Sequence, residues 1–333
     1  MSVKLESCYP RWRKQALLAA AILAGLIIAG IIRGHWGGAD PVRQAAWDTI
    51  APRLSSAEQT SLQASDKHTE RVKVYFADRK LAARAFAEEV FSLSGKWAFV
   101  ESKLPWAEAE GHKRFLRESF ERHMFKGKDI QDLIESAIRG YVSELEGIES
   151  AMLVDIRADL SEGELAPSDL LPALSSDESF QRAYAQMAER VLPVVQLDMD
   201  VTVAREVSSF IATDIASNIS LRILTAVTAR LGLSGGILGS GAALSVETLG
   251  VGLVAALLVD KLIDFVMHKA GYDPEGDVAN KVCEALDKVE AMLLDGEPES
   301  GTLGLRGELL KLQQARSRLC NEALKKLVLE GGL

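Results

Sequence analysis

Three cysteines in 333 residues, Cys8, Cys283 and Cys320, are too few and too widely spaced for a disulfide framework or a zinc site. Aromatic residues make up only 6% of the chain, while Ala and Leu dominate, a mixture that favours helices over strands. With 9 prolines and 48% hydrophobic residues, wholesale disorder is excluded as well. His-Glu-x-x-His and clustered Cys/His pairs are missing, and no nucleophile–base or metal constellation stands out. His112 and His123 lie among acids in "EGHKRFLRESFERHMF". Eleven residues along a helix separate them by about 16 Å, too far to share one ion. Tyr75 and Asp155 have charged neighbours but belong to no such constellation. The reading is of a protein without catalytic activity, metal or cofactor.

Positive charge is also scarce where nucleic acid would need it. The formal net charge is −9, and residues 1–40 carry +3, from Lys4, Arg11, Arg13, Lys14 and Arg33 against Glu6 and Asp40. The remainder therefore carries −12. An acidic body repels the phosphates on which nucleic-acid affinity rests, so nucleic acid is set aside as a partner.

What is present begins with a hydrophobic run. Ala16 to Ile32 is 17 residues without one polar side chain, about 25 Å of helix. Flanking Arg and Lys stems can snorkel to complete the span, and Trp12 and Trp36 stand where interfacial aromatics belong. The run is too long for a cleaved signal peptide and no small-residue cleavage pattern follows it. The excess of positive charge before it predicts a cytoplasmic N-terminus (1–15), a transmembrane anchor (16–32) and an exported body at the inner membrane.

The body reads as all-α and elongated. Residues 41–160 form a helical domain, with Ser55-x-x-Glu58 at capping-box spacing for a helix start. Ile130, Ile134, Ile138, Tyr141, Leu145, Ile148, Met152, Ile156 and Leu160 recur at steps of three or four, one apolar stripe for packing against other helices. Gly163, Pro167 and Pro172 mark a linker over 161–179, which ends on a second capping box, Ser175-x-x-Glu178. A long amphipathic helical segment follows over 180–230. Residues 272–333 read as two amphipathic helices joined in an antiparallel hairpin, within which Cys283 and Cys320 fall at comparable heights and could pair.

Between them lies "LGLSGGILGSGAALSVETLGVGLVAALLVDKLIDF". Gly232, Gly236 and Ser240 form one row of small residues, and Gly235, Gly239 and Ala243 a second. Such rows let helix backbones approach closely. Glu247 sits at the centre, and Asp260 and Lys261 interrupt the far end. A central acid costs roughly 2.5–3.5 kcal/mol, against about 0.3–0.6 returned by each large aliphatic residue. The stretch is therefore no autonomous span like 16–32. No P-loop lysine follows its glycines, which excludes phosphate binding on that pattern. Residues 231–267 read as a glycine-rich apolar helical hairpin. Whether it spans the membrane, in one or two helices, or is buried in the body or at the membrane surface stays open.

Two functions fit. One is a membrane-anchored structural or assembly component of a cell envelope, touching lipid and either itself or another envelope protein. The other is an oligomeric channel, pore or transport component lined by Glu247 or Asp260.

Overall fold

The computed structural model describes residues 40–92, 111–162, 166–193, 212–233, 273–297 and 301–331. These are helical almost throughout, and the all-α expectation holds. In chain order they form α1 (Pro41–Leu81), α2 (Ala83–Val90), α3 (Gly111–His123), α4 (Gly127–Glu162), α5 (Asp177–Val191), α6 (Ala212–Leu233), α7 (Pro274–Asp295) and α8 (Leu305–Lys325). A two-stranded antiparallel ladder, β1 (Gly296–Glu297) and β2 (Thr302–Leu303), joins α7 to α8. Gly296 is needed there: its φ is 73°, and a Cβ would lie 2.3 Å from the Gly304 nitrogen. Among the described residues no helix is long and apolar enough to cross a membrane. The anchor over 16–32 lies outside them.

Helix α1 starts earlier than its sequence suggests. Asp40 accepts the Val42 N–H at 3.1 Å and Pro41 occupies the first helical position, where its missing donor costs nothing. The helix then runs 41 residues, about 60 Å, straight through Pro52 and Ser55. Ser55 is not a cap: its hydroxyl points back to the Ala51 carbonyl at 3.5 Å. Burial of Ala46 and Ile50 carries the helix across the proline. At α5 the cap falls one residue beyond the expected Ser175, on Ser176, whose hydroxyl accepts the Ser179 N–H at 3.1 Å.

Helices α1 and α4 form the spine. They run antiparallel, as the pairs Arg53–Asp159 (2.8 Å) and His68–Glu144 (2.8 Å) fix. Two apolar cores are built on it. The first gathers Val72, Phe76, Ile134 and Ile138 with side chains from α2, α3, α6 and α7 and the start of α8. Edge-to-face contacts knit aromatic pairs there, among them Phe86–Phe120 and Phe120–Phe125. The second, at the other end, gathers Ala46, Ile50, Ile156 and Leu160 with α5 and the end of α8. The apolar stripe read along α4 feeds both: its Ile130–Leu145 half enters the first core, and its Met152–Leu160 half the second. Leu170, Ala173 and Leu174, in the segment between α4 and α5, are buried in the second core.

Helix α8 ties the cores together. It begins with Leu305 and Leu309 in the first and ends with Leu319, Ala323 and Leu324 in the second. Near the start of α1, Arg43 donates to the Val328 carbonyl at 2.9 Å and grips Asp169 through both carboxylate oxygens. Cys283 belongs to the first core and Cys320 to the second, both as free thiols, so the disulfide that their matching heights allowed is not formed.

Helices α1 and α4 approach closely at Gly140 on α4. A Cβ there would lie 2.7 Å from Cε1 of His68 on α1, whereas one at Gly147 would meet nothing within 4 Å. Replacing a mid-helix glycine by alanine gains about 1 kcal/mol of helix propensity. Crowding a packed interface loses about 1–3 kcal/mol. Gly147→Ala should therefore raise the melting temperature and Gly140→Ala should fall below it, which thermal unfolding followed by circular dichroism would register. Equal melting temperatures would show that His68 yields freely.

Candidate functional site

Between the two apolar cores the interior becomes polar. Glu149 lies on α4 one turn from Leu145 and one from Met152, in the middle of the buried stripe. Arg316 holds the equivalent place on α8, between Leu312 and Leu319. The two meet as a bidentate pair, Nε to Oε2 at 2.7 Å and Nη2 to Oε1 at 2.8 Å. Their side chains are only 10% and 11% exposed. Tyr184 of α5 donates to the same Glu149 Oε1 at 2.6 Å. Three helices thus converge on one carboxylate.

Burial dominates the ionisation of the neighbouring groups. It holds the Tyr184 phenol well above its ordinary range, and the Glu149 charge adds to the effect. Burial likewise pushes the Cys320 thiol up to about 12. Cys320 is therefore a protonated core side chain, not a nucleophile. Beside the pair is a half-open cavity of about 40 Å³, lined by residues of α1, α4 and α8 that include Glu58, Ser61, Gln313 and Ser317. That space suits two or three waters. Gln313, 3% exposed, brings to it an amide nitrogen without a protein partner.

A second polar knot lies further along the spine. His68 is 2% exposed, its Nε2 2.8 Å from Glu144 Oε2, while its Nδ1 is buried against Gly140 without a partner. Glu144 also accepts from Lys67 at 2.9 Å, and the Tyr141 hydroxyl donates to the Ser61 carbonyl at 3.3 Å. The geometry fits the tautomer in which Nε2 carries the proton and donates it to the carboxylate. Burial lowers the His68 pKa, the Arg71 and Lys67 charges act in the same direction, and the bond to Glu144 opposes them. The bond from Lys67 is the chief reason that the Glu144 carboxyl is held below its usual range.

The residues singled out by sequence fare differently. His123 bonds Glu89 across the α2–α3 interface, where Arg122 joins the same carboxylate. It acts as a helix-to-helix contact. Asp155 is an exposed partner of Arg53 at 3.4 Å, and the Tyr75 ring lies 4.9 Å beneath the Arg79 guanidinium. Among the described residues no group of three or more His, Cys, Asp or Glu could hold a metal ion. Gly232 falls in the last turn of α6. Gly235, Gly236, Gly239, Ser240, Ala243, Glu247, Asp260 and Lys261 lie outside the described residues.

Glu149, Arg316 and His68 were not among the residues that the sequence singled out, yet it carried a signal for each. All three are polar residues at apolar-stripe positions: Leu145–Glu149–Met152, Leu312–Arg316–Leu319 and Ala64–His68–Val72. A charge at a core register implies a partner of opposite sign on a facing helix.

Chemically the site holds charges still. Its carboxylates are occupied by Arg, Lys, Tyr and His donors, and its thiol is neutral. No family model, no curated protein and no solved structure matches this chain.

Breaking a buried pair from one side strands the other charge, at about 3–5 kcal/mol, whereas replacing both by apolar groups is often close to neutral. Glu149→Leu or Arg316→Met alone should lower the denaturation midpoint sharply, and the double variant should recover most of that loss. Additive losses would mean that the pair is not electrostatically coupled.

The second knot gives a pH dependence. The folded His68 pKa lies below the unfolded value, so the unfolded chain takes up the proton first. The stability linked to His68 is complete above about pH 6.5 and declines as pH falls through that value toward the folded pKa. The contributions of Glu144, and of Asp159 and Asp169 beneath their arginines, are lost only further down, below about pH 4.5. Melting temperature should fall between about pH 7.5 and 5.5, and His68→Gln, which keeps a donor for Glu144, should flatten that interval. An unchanged slope in His68→Gln would assign the dependence elsewhere.

Proposed function

We propose that this protein is a membrane-anchored helical scaffold: a structural or assembly component of a cell envelope whose work is contact with lipid and with itself or another envelope protein. The observation that carries the reading is the order of parts along the chain. A basic flank is followed by the uncharged run Ala16–Ile32, and eight residues later Asp40 caps a helix of 41 residues. An anchor joined to so long a helix displays a body at one place on a membrane.

The polar interior supports the reading from another side. The Glu149–Arg316–Tyr184 and His68–Glu144–Lys67 groups join helices to one another. Apolar side chains do reach the surface: Val74 and Leu81 of α1 are 54% and 82% exposed, next to the first core, and Leu171 beside the second is 57% exposed. They are the natural contact points for a partner.

Two measurements test the proposal together. The full chain should resist extraction from membranes by alkaline carbonate, and the chain lacking residues 1–39 should be released. A photo-crosslinking residue at Val74 or Leu81 should give a discrete adduct, of the chain with itself or with one envelope protein. Release of the full chain would overturn the anchor, and the absence of adducts at both positions would overturn the assembly role.

A further inference from the structure

The geometry points to a constraint on topology: the described helices before and after residues 234–272 lie on the same side of any membrane the protein enters, and the connection between them does not cross it. The inference needs neither the anchor nor its orientation, so it stands apart from the proposed function.

Residues from both parts share each apolar core. Val278, Val282 and Leu286 of α7 are buried in one cluster with Val72, Ile134 and Ile219. Leu319 and Leu324 of α8 are buried in the other with Ile50 and Ile156. Direct polar contacts repeat the pattern. Lys80 meets Glu290 at 2.7 Å, Arg222 meets Glu308 at 2.9 Å, Glu149 meets Arg316 at 2.7 Å, and Arg43 donates to the Val328 carbonyl at 2.9 Å. A hydrocarbon layer is about 30 Å thick, so groups in contact cannot lie on opposite sides of it. The number of crossings between Leu233 and Asp273 is therefore even.

Length then decides between none and two. A span takes about 17–25 predominantly apolar residues, so even two short ones take about 34 before any turn is counted. The connection has 39 residues in all, and its stretch before Asp260 only 26, with Glu247 inside it. Two crossings do not fit. The chain from α7 onward therefore stays with the body. The single span that would carry the C-terminal helices to the opposite face, and the pore built on such spans, are both disfavoured on the same ground.

The test uses the full-length chain in membrane vesicles of both orientations, with an impermeant maleimide. Cys8 and Cys283 are replaced by serine. Cys320 stays, because its buried, protonated thiol should react only after denaturation and so reports that each variant is folded. Single cysteines go in at Ser150 and Gln314, both exposed, and at Gly252 within the connection. Ser150→Cys and Gln314→Cys should label in the same vesicle orientation and be silent in the other. Gly252→Cys should never label in the opposite orientation alone. If 150 and 314 label in opposite orientations, the same-side inference is overturned. Labelling of Gly252→Cys only from the face opposite the other two would establish two crossings and overturn it equally. Labelling of 150 and 314 together from the cytoplasmic face would leave the inference intact and overturn the proposed orientation instead.

Discussion

The Glu149–Arg316 pair is the constraint on which the arrangement turns. It sits where two apolar cores would otherwise run together, and its geometry admits few alternatives. A bidentate guanidinium–carboxylate contact sets distance and plane at once, and the Tyr184 hydroxyl fixes the remaining helix by bonding one of the same oxygens. Apolar stripes alone leave α8 free to slide by a turn along α4, because one leucine fits much like another. A buried charge at one height on each helix removes that freedom, since any other register leaves both ions unpaired in the interior. The pair gives register where the cores give cohesion.

His68 and Gly140 set the spacing of α1 against α4 in a different way. The glycine lets the imidazole lie against the helix backbone, and the ring in turn reaches Glu144 one turn further along. Small residue, aromatic heterocycle and carboxylate form a lock whose members are useless separately. The lock belongs to the spine, while the arginine pair belongs to the union of spine and closing helix.

Much of this was legible in the residues, and the portion that was not has physical causes. The α4 stripe could be read because a 3.6-residue period survives over 36 residues and both of its halves are buried. The capping-box spacing at Ser55 offers a helix start that α1 does not use, because that spacing is a local cue and burial of Ala46 and Ile50 is not. Matching heights for Cys283 and Cys320 took the C-terminal pair of helices in isolation, whereas each thiol is claimed by a different core. His123, weighed as a ligand, serves to pin α3 on α2 through Glu89. The central polar residues announced themselves as interruptions in apolar stripes, but which interruption meets which is a tertiary fact that no single helix contains.

The clasp of Arg43 on the Val328 carbonyl joins residues 285 positions apart. At the roughly 5–20 residues per second of protein synthesis, about 15–60 s pass between the appearance of one partner and the other. For the later part of that time, once α4 is complete at Glu162, α1 and α4 exist without the helix that seals both of their cores, and their apolar stripes face the medium. So non-local a closure slows folding and favours premature association. For this chain the hazardous interval comes during its biosynthesis, and a holding chaperone has most to do before α8 has left the ribosome.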